Sequence, residues 1–258
     1  MDKDHLSHLE VVTVKTRTTV YRDGDRALKF YLNAPPGEVD NEARLQRFAY
    51  DTGLPVPAVH GVRTWEDGTS ALEMAFIDGQ PLLRLGMCAK ECSHAIAELV
   101  KLQARVHNVD GTGLRSQTDY LRRHVERYLG GAEYAPARER LLILIDKLDT
   151  GRTALCHGDL HPFNVLFDGG RYWIIDWVDA TAGNPLADAC HTYLVIKEFF
   201  NRSARVYLQL FCRETGARPE DVLAWLPVVA ASNLVGQDDK GRAYLMEVIE
   251  KALLQITG

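Results

Sequence analysis

The 258-residue sequence has no apolar run near the roughly 20 residues that a membrane span requires. It opens on MDKDHLSHLE, which is polar and acidic and contains no apolar h-region, so neither a signal peptide nor a membrane partner is expected and a cytoplasmic location is. Its five cysteines are odd in number and scattered, which excludes a disulfide framework and suits a reducing compartment. Cys88 and Cys92, four apart, lack the further ligands of a zinc site. There is no excess of basic charge. Residues 1–80 carry 9 basic and 13 acidic side chains and residues 81–258 carry 21 and 22, so no nucleic-acid partner is expected. Internal repeats, low-complexity stretches and flexible linkers are absent as well, and the length suits one bilobal unit or two modest lobes.

The informative stretch runs from Leu155 to Asp179, LCHGDLHPFNVLFDGGRYWIIDWVD. Val165–Phe167 and Tyr172–Ile175 are short apolar runs, and Asp168-Gly169-Gly170-Arg171 between them is turn chemistry, so a hairpin is expected. If the turn takes those four residues, Phe167 pairs with Tyr172, and Asn164 and Asp176 lie nearly opposite each other at the open end. An amide oxygen and a carboxylate there can hold one hard cation, Mg²⁺ first, which takes oxygen ligands and leaves room for phosphate oxygens. Asp159 stands five residues before Asn164 in a short polar turn, and His157 two before that. His-x-Asp, four residues, Asn, a strand pair and then Asp is the order of a kinase catalytic loop followed by its metal-binding aspartate. A lone Asp, Asn or His in a loop is usually a turn former or a cap. Four polar residues at fixed spacing around an apolar hairpin carry more weight. A metal-dependent phosphoesterase is the competing chemistry.

His157-Gly158-Asp159-Leu160-His161-Pro162-Phe163-Asn164 and Ile175-Asp176-Trp177 resemble the signature of the aminoglycoside phosphotransferase and choline kinase family, small-molecule kinases with a protein-kinase-like fold. The specific motif is confined to Leu155–Asp188, while a looser likeness extends from about Val11 to the C-terminal helices. The resemblance implies an α+β, bilobal protein-kinase-like fold, with an N-terminal nucleotide-binding lobe over residues 1–78 and a helical catalytic and substrate-binding lobe over 79–258. It places the nucleotide in the cleft between the lobes.

The N-terminal segments fit that plan. Glu10–Lys15, Thr19–Arg22 and Arg26–Leu32 read as meandering strands, followed by Ala58–Arg63 and Ser70–Met74. The first turn, Lys15-Thr16-Arg17-Thr18-Thr19, has no glycine and no Walker pattern, a departure from the protein-kinase form; the resemblance implies that hydroxyls, Thr16 and Thr18, and backbone amides face the phosphates there. Lys29 sits in mid-strand, and Val39–Asp51 reads as a helix whose apolar side includes Leu45, Phe48 and Ala49. Glu42 points inward with them. An inward carboxylate is expensive without a partner, and Lys29 is the natural one. In kinases such a pair orients the lysine onto the α- and β-phosphates, and the resemblance carries those roles to Lys29 and Glu42. It also places adenine contacts in the connector, between Glu73 and Ile77 and including Ala75.

From Cys88 onward the periodicity is helical, with His107 expected as a hydrogen-bonded core histidine and Arg122, Arg123 and Arg127 on a solvated face. Helices are expected over Tyr120–Leu129, Ala135–Leu148, Ala187–Phe200, Ser203–Thr215, Pro219–Ser232 and Arg242–Ile256. Asp188 falls in a helical first turn, where a carboxylate is favoured, and the resemblance adds that it braces the catalytic loop.

The combined expectation is transfer of the γ-phosphoryl group of ATP (or GTP) with Mg²⁺ to a hydroxyl of a small molecule: an aminoglycoside-like antibiotic, an amino alcohol or a sugar. Asp159 accepts or orients the hydroxyl proton, Asn164 and Asp176 hold the metal, and His157 fixes the loop. Asp179, Glu198, Asp238 and Asp239 are candidates for a cationic acceptor; Trp177, Tyr193, Phe199, Phe200 and Trp225 are candidates for a choline-like one. A monomer or weak dimer is expected. No Ala-Pro-Glu segment follows Asp176, against a protein kinase, and all four chemistry-bearing positions are filled, against a pseudokinase. A phosphoesterase would need no Lys29–Glu42 pair.

Overall fold

The computed structural model describes residues 9–15, 17–32, 35, 37–66, 68–84, 86–199, 201–234 and 237–256. Among them the chain runs β1 (Glu10–Val14), β2 (Thr18–Asp23), β3 (Arg26–Tyr31), α1 (Glu38–Asp51), β4 (Val59–Thr64), β5 (Ser70–Ala75) and β6 (Gln80–Pro81). There follow α2 (Ala89–His107), α3 (Gln117–Tyr128), α4 (Ala135–Leu148), β7 (Ala154–Cys156), β8 (Val165–Phe167), β9 (Tyr172–Ile174) and β10 (Thr181–Gly183). The remainder is α5 (Pro185–Phe199), α6 (Asn201–Thr215), α7 (Pro219–Leu223), α8 (Leu226–Ser232) and α9 (Asp239–Ile256). The chain groups into two compact units, Met1–Leu82 with Phe163–Asp179, and Leu83–Pro162 with Ala180–Gly258.

The first unit is built on a five-stranded antiparallel sheet in the order β1-β2-β3-β5-β4. Alternation along β3 sets its two faces. Leu28 and Phe30 pack with Ala71, Tyr21 and Trp65. On the other face Leu72, opposite Lys29, packs with Val39 and Ala43 of α1. Lys29 therefore emerges under α1. The β8–β9 hairpin belongs to this unit. Its register is Val165↔Ile174, Leu166↔Trp173, Phe167↔Tyr172, as the turn chemistry requires. Asp168 closes the turn, its carboxylate accepting from the amides of Gly170 and Arg171 and from Trp173 Nε1. Gly79–Leu82 and the hairpin go with the strands rather than with the helices that flank them in sequence, because β6 pairs with β8. The Leu82 amide donates to Val165 O at 2.9 Å and the Ile174 amide to Pro55 O at 2.7 Å. A Cβ on Gly79 would meet Phe167 O at 3.1 Å, so any larger residue at this crossing would push the hairpin back by a few tenths of an ångström.

The second unit is helical, with the small β7–β10 pair inside it. Ile96, Leu99 and Val106 of α2, Leu194 and Ile196 of α5, and Tyr207 and Phe211 of α6 are buried. The helix expected over Pro219–Ser232 is two: α7 stops at Leu223 and α8 restarts at Leu226 with Pro227 in its first turn. Proline has no amide to donate and clashes with the carbonyl four residues back, so one continuous helix is excluded. None of the described helices is long and apolar enough to cross a membrane.

Candidate active site

In the first unit the buried Lys29 lies between two carboxylates, its Nζ 2.8 Å from Glu42 Oε1 and 2.7 Å from Asp176 Oδ1. The second oxygen of Asp176 meets Lys15 Nζ at 2.9 Å. Lys29 retains only 6% of its surface and Glu42 none, so both charges depend on each other to offset desolvation. Burial works against the lysine's charge, but the fields of Glu42 and Asp176 outweigh it and raise its pKa. Burial pushes Glu42 up, to about 7, against the pull of Lys29 and with help from the Asp176 carboxylate. Burial works in the same direction on Asp176, but the two ammonium groups win and hold it well below the usual carboxylate range.

Asp176 has φ 69°, the one left-handed non-glycine among the described residues. Such a conformation is costly for most side chains and least so for Asp and Asn. It follows directly on the strand pair. The Ile175 amide donates to Asn164 O at 3.0 Å, so Asn164 faces Ile175 and Asp176 is one residue further on. Asn164 is fully buried. A cavity of about 450 Å³ is lined by Lys29, by apolar side chains of Val20, Ala27, Met74, Leu166 and Ile175, and by Lys15, Thr18, Glu42 and Asp176. Ala75 and Ile77 line it; Glu73 does not, because its carboxylate turns to Arg26 at 2.5 Å. Thr16 lies outside the described residues.

In the second unit Asp159 keeps about a third of its side-chain surface exposed, with His161 Nε2 at 3.5 Å and His191 Nδ1 at 3.9 Å. Burial would raise its pKa; the His161 hydrogen bond and the neighbouring histidines outweigh that and lower it. The Asp159 amide donates to Nδ1 of the buried His157 at 3.2 Å. Gly158, in the left-handed region at φ 85°, donates its amide to Asp188 Oδ1 at 2.7 Å. Asp188 is buried and its other oxygen meets His107 Nε2 at 2.8 Å, so His107 is the hydrogen-bonded core histidine expected of it. The same His107 bond and the Gly158 amide overcome burial and hold Asp188 well below the usual carboxylate range.

The acceptor candidates scatter. Glu198 and Asp238 share a polar cavity of about 790 Å³ with Lys197, Lys240, Asn201 and Tyr244; Asp239 does not line it, and Asp179 belongs to the first unit. Two of the aromatic candidates are withdrawn from any ligand: Trp177 and Trp225 are buried, with the Trp177 indole donating to Ile174 O. Lys197 sits over the Tyr193 ring. The side chains of Phe199 and Phe200 lie outside the described residues. Arg122 of the solvated face pairs with Asp146. Sequence reasoning missed Lys15 and His191. The signal for His191 was its place three residues after Asp188 on one helix; for Lys15 there was none, since its partner is 161 residues away.

A strand unit holding a Lys–Glu–Asp cluster, and a helical unit holding an aspartate among histidines, is the fold of kinase-like phosphotransferases. The solved aminoglycoside phosphotransferase APH(4)-Ia, in a ternary complex with ADP and hygromycin B, matches with a TM-score of 0.75 at 15% identity over 98% of this chain and 95% of that one. Choline kinase LicA from Streptococcus pneumoniae matches at 0.68 and 15% identity, over 98% and 97%. Aminoglycoside-3′-phosphotransferase of type VIII matches at 0.66 and 20%, over 87% and 93%. At such identities the likeness establishes the fold. The model of the phosphotransferase enzyme family matches residues 10–225, and the chain belongs to that family. It is thus a phosphotransferase by family, with the α+β fold of small-molecule kinases. Acyl-CoA dehydrogenase family member 11 of Rattus norvegicus is 23% identical over 272 residues; the match takes in 82% of this chain and about a third (34%) of that protein's length.

Proposed function

We propose that the protein transfers the γ-phosphoryl group of ATP, with GTP as an alternative donor, to a hydroxyl of a small molecule. The observation that carries this reading is the buried Lys29, held between Glu42 and Asp176 on the wall of an apolar cavity. A cavity of that size with an ammonium group at one end suits a purine against its walls and phosphates at the lysine. Lys29 binds the phosphates and Glu42 keeps it oriented and charged. Lys15 and Thr18 face the same anions. Asn164 and Asp176 offer amide and carboxylate oxygens, the donor set Mg²⁺ takes; Lys29 and Lys15 occupy both Asp176 oxygens and would turn to the phosphates as the metal binds. Mg²⁺ there would neutralise charge on the phosphates. The acceptor oxygen attacks phosphorus, the bond to ADP breaks, and the hydroxyl proton passes to the Asp159 carboxylate. Its lowered pKa makes Asp159 a weak base, which suits a loose transition state in which the proton leaves late.

The acceptor is an aminoglycoside-like antibiotic, an amino alcohol or a sugar. Glu198 and Asp238 could meet a cationic acceptor, yet Lys197 and Lys240 in the same cavity leave its charge mixed, which argues against a polycation. The lobe assignment, 1–78 for nucleotide and 79–258 for catalysis and acceptor, and the cytoplasmic, monomeric or weakly dimeric state belong to the same proposal. The test is ATP binding with and without Mg²⁺, and ADP release against hygromycin B, kanamycin-class aminoglycosides, choline and simple sugars. Mg²⁺-dependent binding that Asp176→Ala abolishes is expected. Wild-type turnover in Asp176→Ala would end the metal assignment, and silence on every aminoglycoside would remove any resistance role while leaving the kinase reading intact.

A further inference from the structure

Asp159 has one neighbour on each side, Gly158 and Leu160, and each is tied to a buried side chain of α5. The Gly158 amide donates to Asp188 Oδ1 at 2.7 Å. The Leu160 carbonyl accepts from Thr192 Oγ1 at 2.6 Å. Asp188 and Thr192 stand one turn apart on α5, and Gln103 of α2 joins them: its Nε2 donates to Thr192 Oγ1 at 2.9 Å and to Asp188 Oδ2 at 3.3 Å. The Gln103 amide is oriented in turn by Tyr207 of α6, whose hydroxyl donates to Gln103 Oε1. Gln103, Thr192 and Tyr207 are completely buried.

Thr192 Oγ1 lies 2.6 Å from Leu160 O and 3.3 Å from its own helix's Asp188 O, so the Leu160 carbonyl is its nearer acceptor. Tyr207 gives its proton to Gln103, Gln103 gives one amide proton to Thr192 and the other to Asp188, and Thr192 gives its proton to Leu160. The result is a closed ring, Gly158–Asp188–Gln103–Thr192–Leu160, with Asp159 as the only residue it spans. A primary amide is suited to the joint because it offers two donors and an acceptor in one plane. In a dry interior such a chain is strong when complete and costly when broken.

We infer that Gln103, Thr192 and Tyr207 are positioning residues that clamp the backbone on both sides of Asp159 and so fix where its carboxylate meets the acceptor hydroxyl. This rests on the reading of Asp159 as proton acceptor. A misplacement of the order of an ångström can cost about a hundredfold in rate, and the ring holds the Gly158 amide and the Leu160 carbonyl, the two ends of the three-residue segment that carries the Asp159 side chain.

The test uses the full chain, with ADP release from Mg²⁺-ATP and water as acceptor, ATP affinity, and amide hydrogen exchange over residues 157–161. Thr192→Val keeps the shape and loses the hydroxyl. It is expected to lower ADP release about ten- to a hundredfold, to leave ATP affinity unchanged, and to speed exchange at Gly158 and Asp159. Thr192→Ser should restore most of the rate. Should Thr192→Val fail to fold, Tyr207→Phe, which frees the Gln103 amide without touching the loop, must show a several-fold loss and faster exchange. Full-rate release with unchanged exchange in either folded variant overturns the inference. If Asp159→Asn abolishes release while folded Thr192→Val retains it, the clamp alone falls. If Asp159→Asn retains full release, the role of Asp159 falls and the inference with it.

Discussion

The two units stabilise their aspartates by different means. In the strand unit, Asp176 is surrounded by charge: two ammonium groups, with Glu42 sharing one of them. In the helical unit, Asp188 is held by the His107 imidazole and the Gly158 amide, and Asp159 lies beside the His161 and His191 imidazoles on a hydroxyl-anchored loop. The difference suits the proposed division of labour. Phosphates are multiply charged, and a cluster of opposite charges can rearrange around them as they arrive. A proton acceptor needs a fixed direction, which neutral hydrogen bonds with defined donors supply better than point charges do.

The comparison can be broken most sharply at Asp159. Asp159→Asn preserves shape and removes the acceptor; turnover should fall by about 10²–10⁴-fold while ATP affinity holds. Normal turnover would make Asp159 a turn residue only. Next in size is Asp188→Ala, which leaves His107 and the Gly158 amide facing a buried void. A loss of about 3–5 kcal/mol in urea unfolding is expected, and a loss below about 1 kcal/mol would mean that the helical unit does not depend on that carboxylate.

In the strand unit the matching experiment is a double-mutant cycle on Lys29 and Glu42. Alanine at each and at both should give a coupling energy of about 0.5–3 kcal/mol in kcat/KM, whereas strict additivity would show two independent side chains. The pH dependence distinguishes the units as well. Glu42 binds its proton more tightly folded than unfolded, since its pKa rises from 4.5 to about 7. Its contribution to stability is therefore complete below pH 4.5 and is lost as pH climbs through 7. Asp176, Asp188 and Asp159 are lowered, so their contributions are present above their ordinary value of 3.8 and fade only in stronger acid. Stability measured from pH 4.5 to 7 should fall with a slope that Glu42→Gln removes; an unchanged slope in that variant would place the titrating group elsewhere. The smallest effect belongs to Lys15, half exposed on Asp176. Lys15→Ala should cost no more than about 1 kcal/mol of stability, and a larger loss would move Lys15 into the structural core of the cluster.

Much of this site was legible from local pattern. The hairpin register followed from four turn residues between two apolar runs, and a one-residue slip would have reversed every side chain. The partnership of Lys29 and Glu42 followed from the cost of an inward carboxylate, which demands a cation within reach. Where local pattern met a competing constraint it misled. Pro227 divided an apparently continuous helix, and Glu73, opposite Leu28 in the sheet, paired with the Arg26 side chain instead of facing the cavity. The aromatic residues that could have met a quaternary ammonium include Trp177 and Trp225, which the core absorbed, because large rings gain most from burial.

The kinase-like order of polar residues, the strand-then-helix plan and the inward pair could be read before any fold was known, since each depends on periodicity, turn chemistry or the penalty of burying charge within a few dozen residues. It took the folded chain to pack the hairpin with the strands, to bring Lys15 to Asp176, and to close Gln103, Thr192 and Tyr207 into a ring around Asp159. Those contacts join residues up to 161 positions apart. A hydrogen bond is decided by ångströms and angles that sequence spacing does not encode once the chain has turned back on itself.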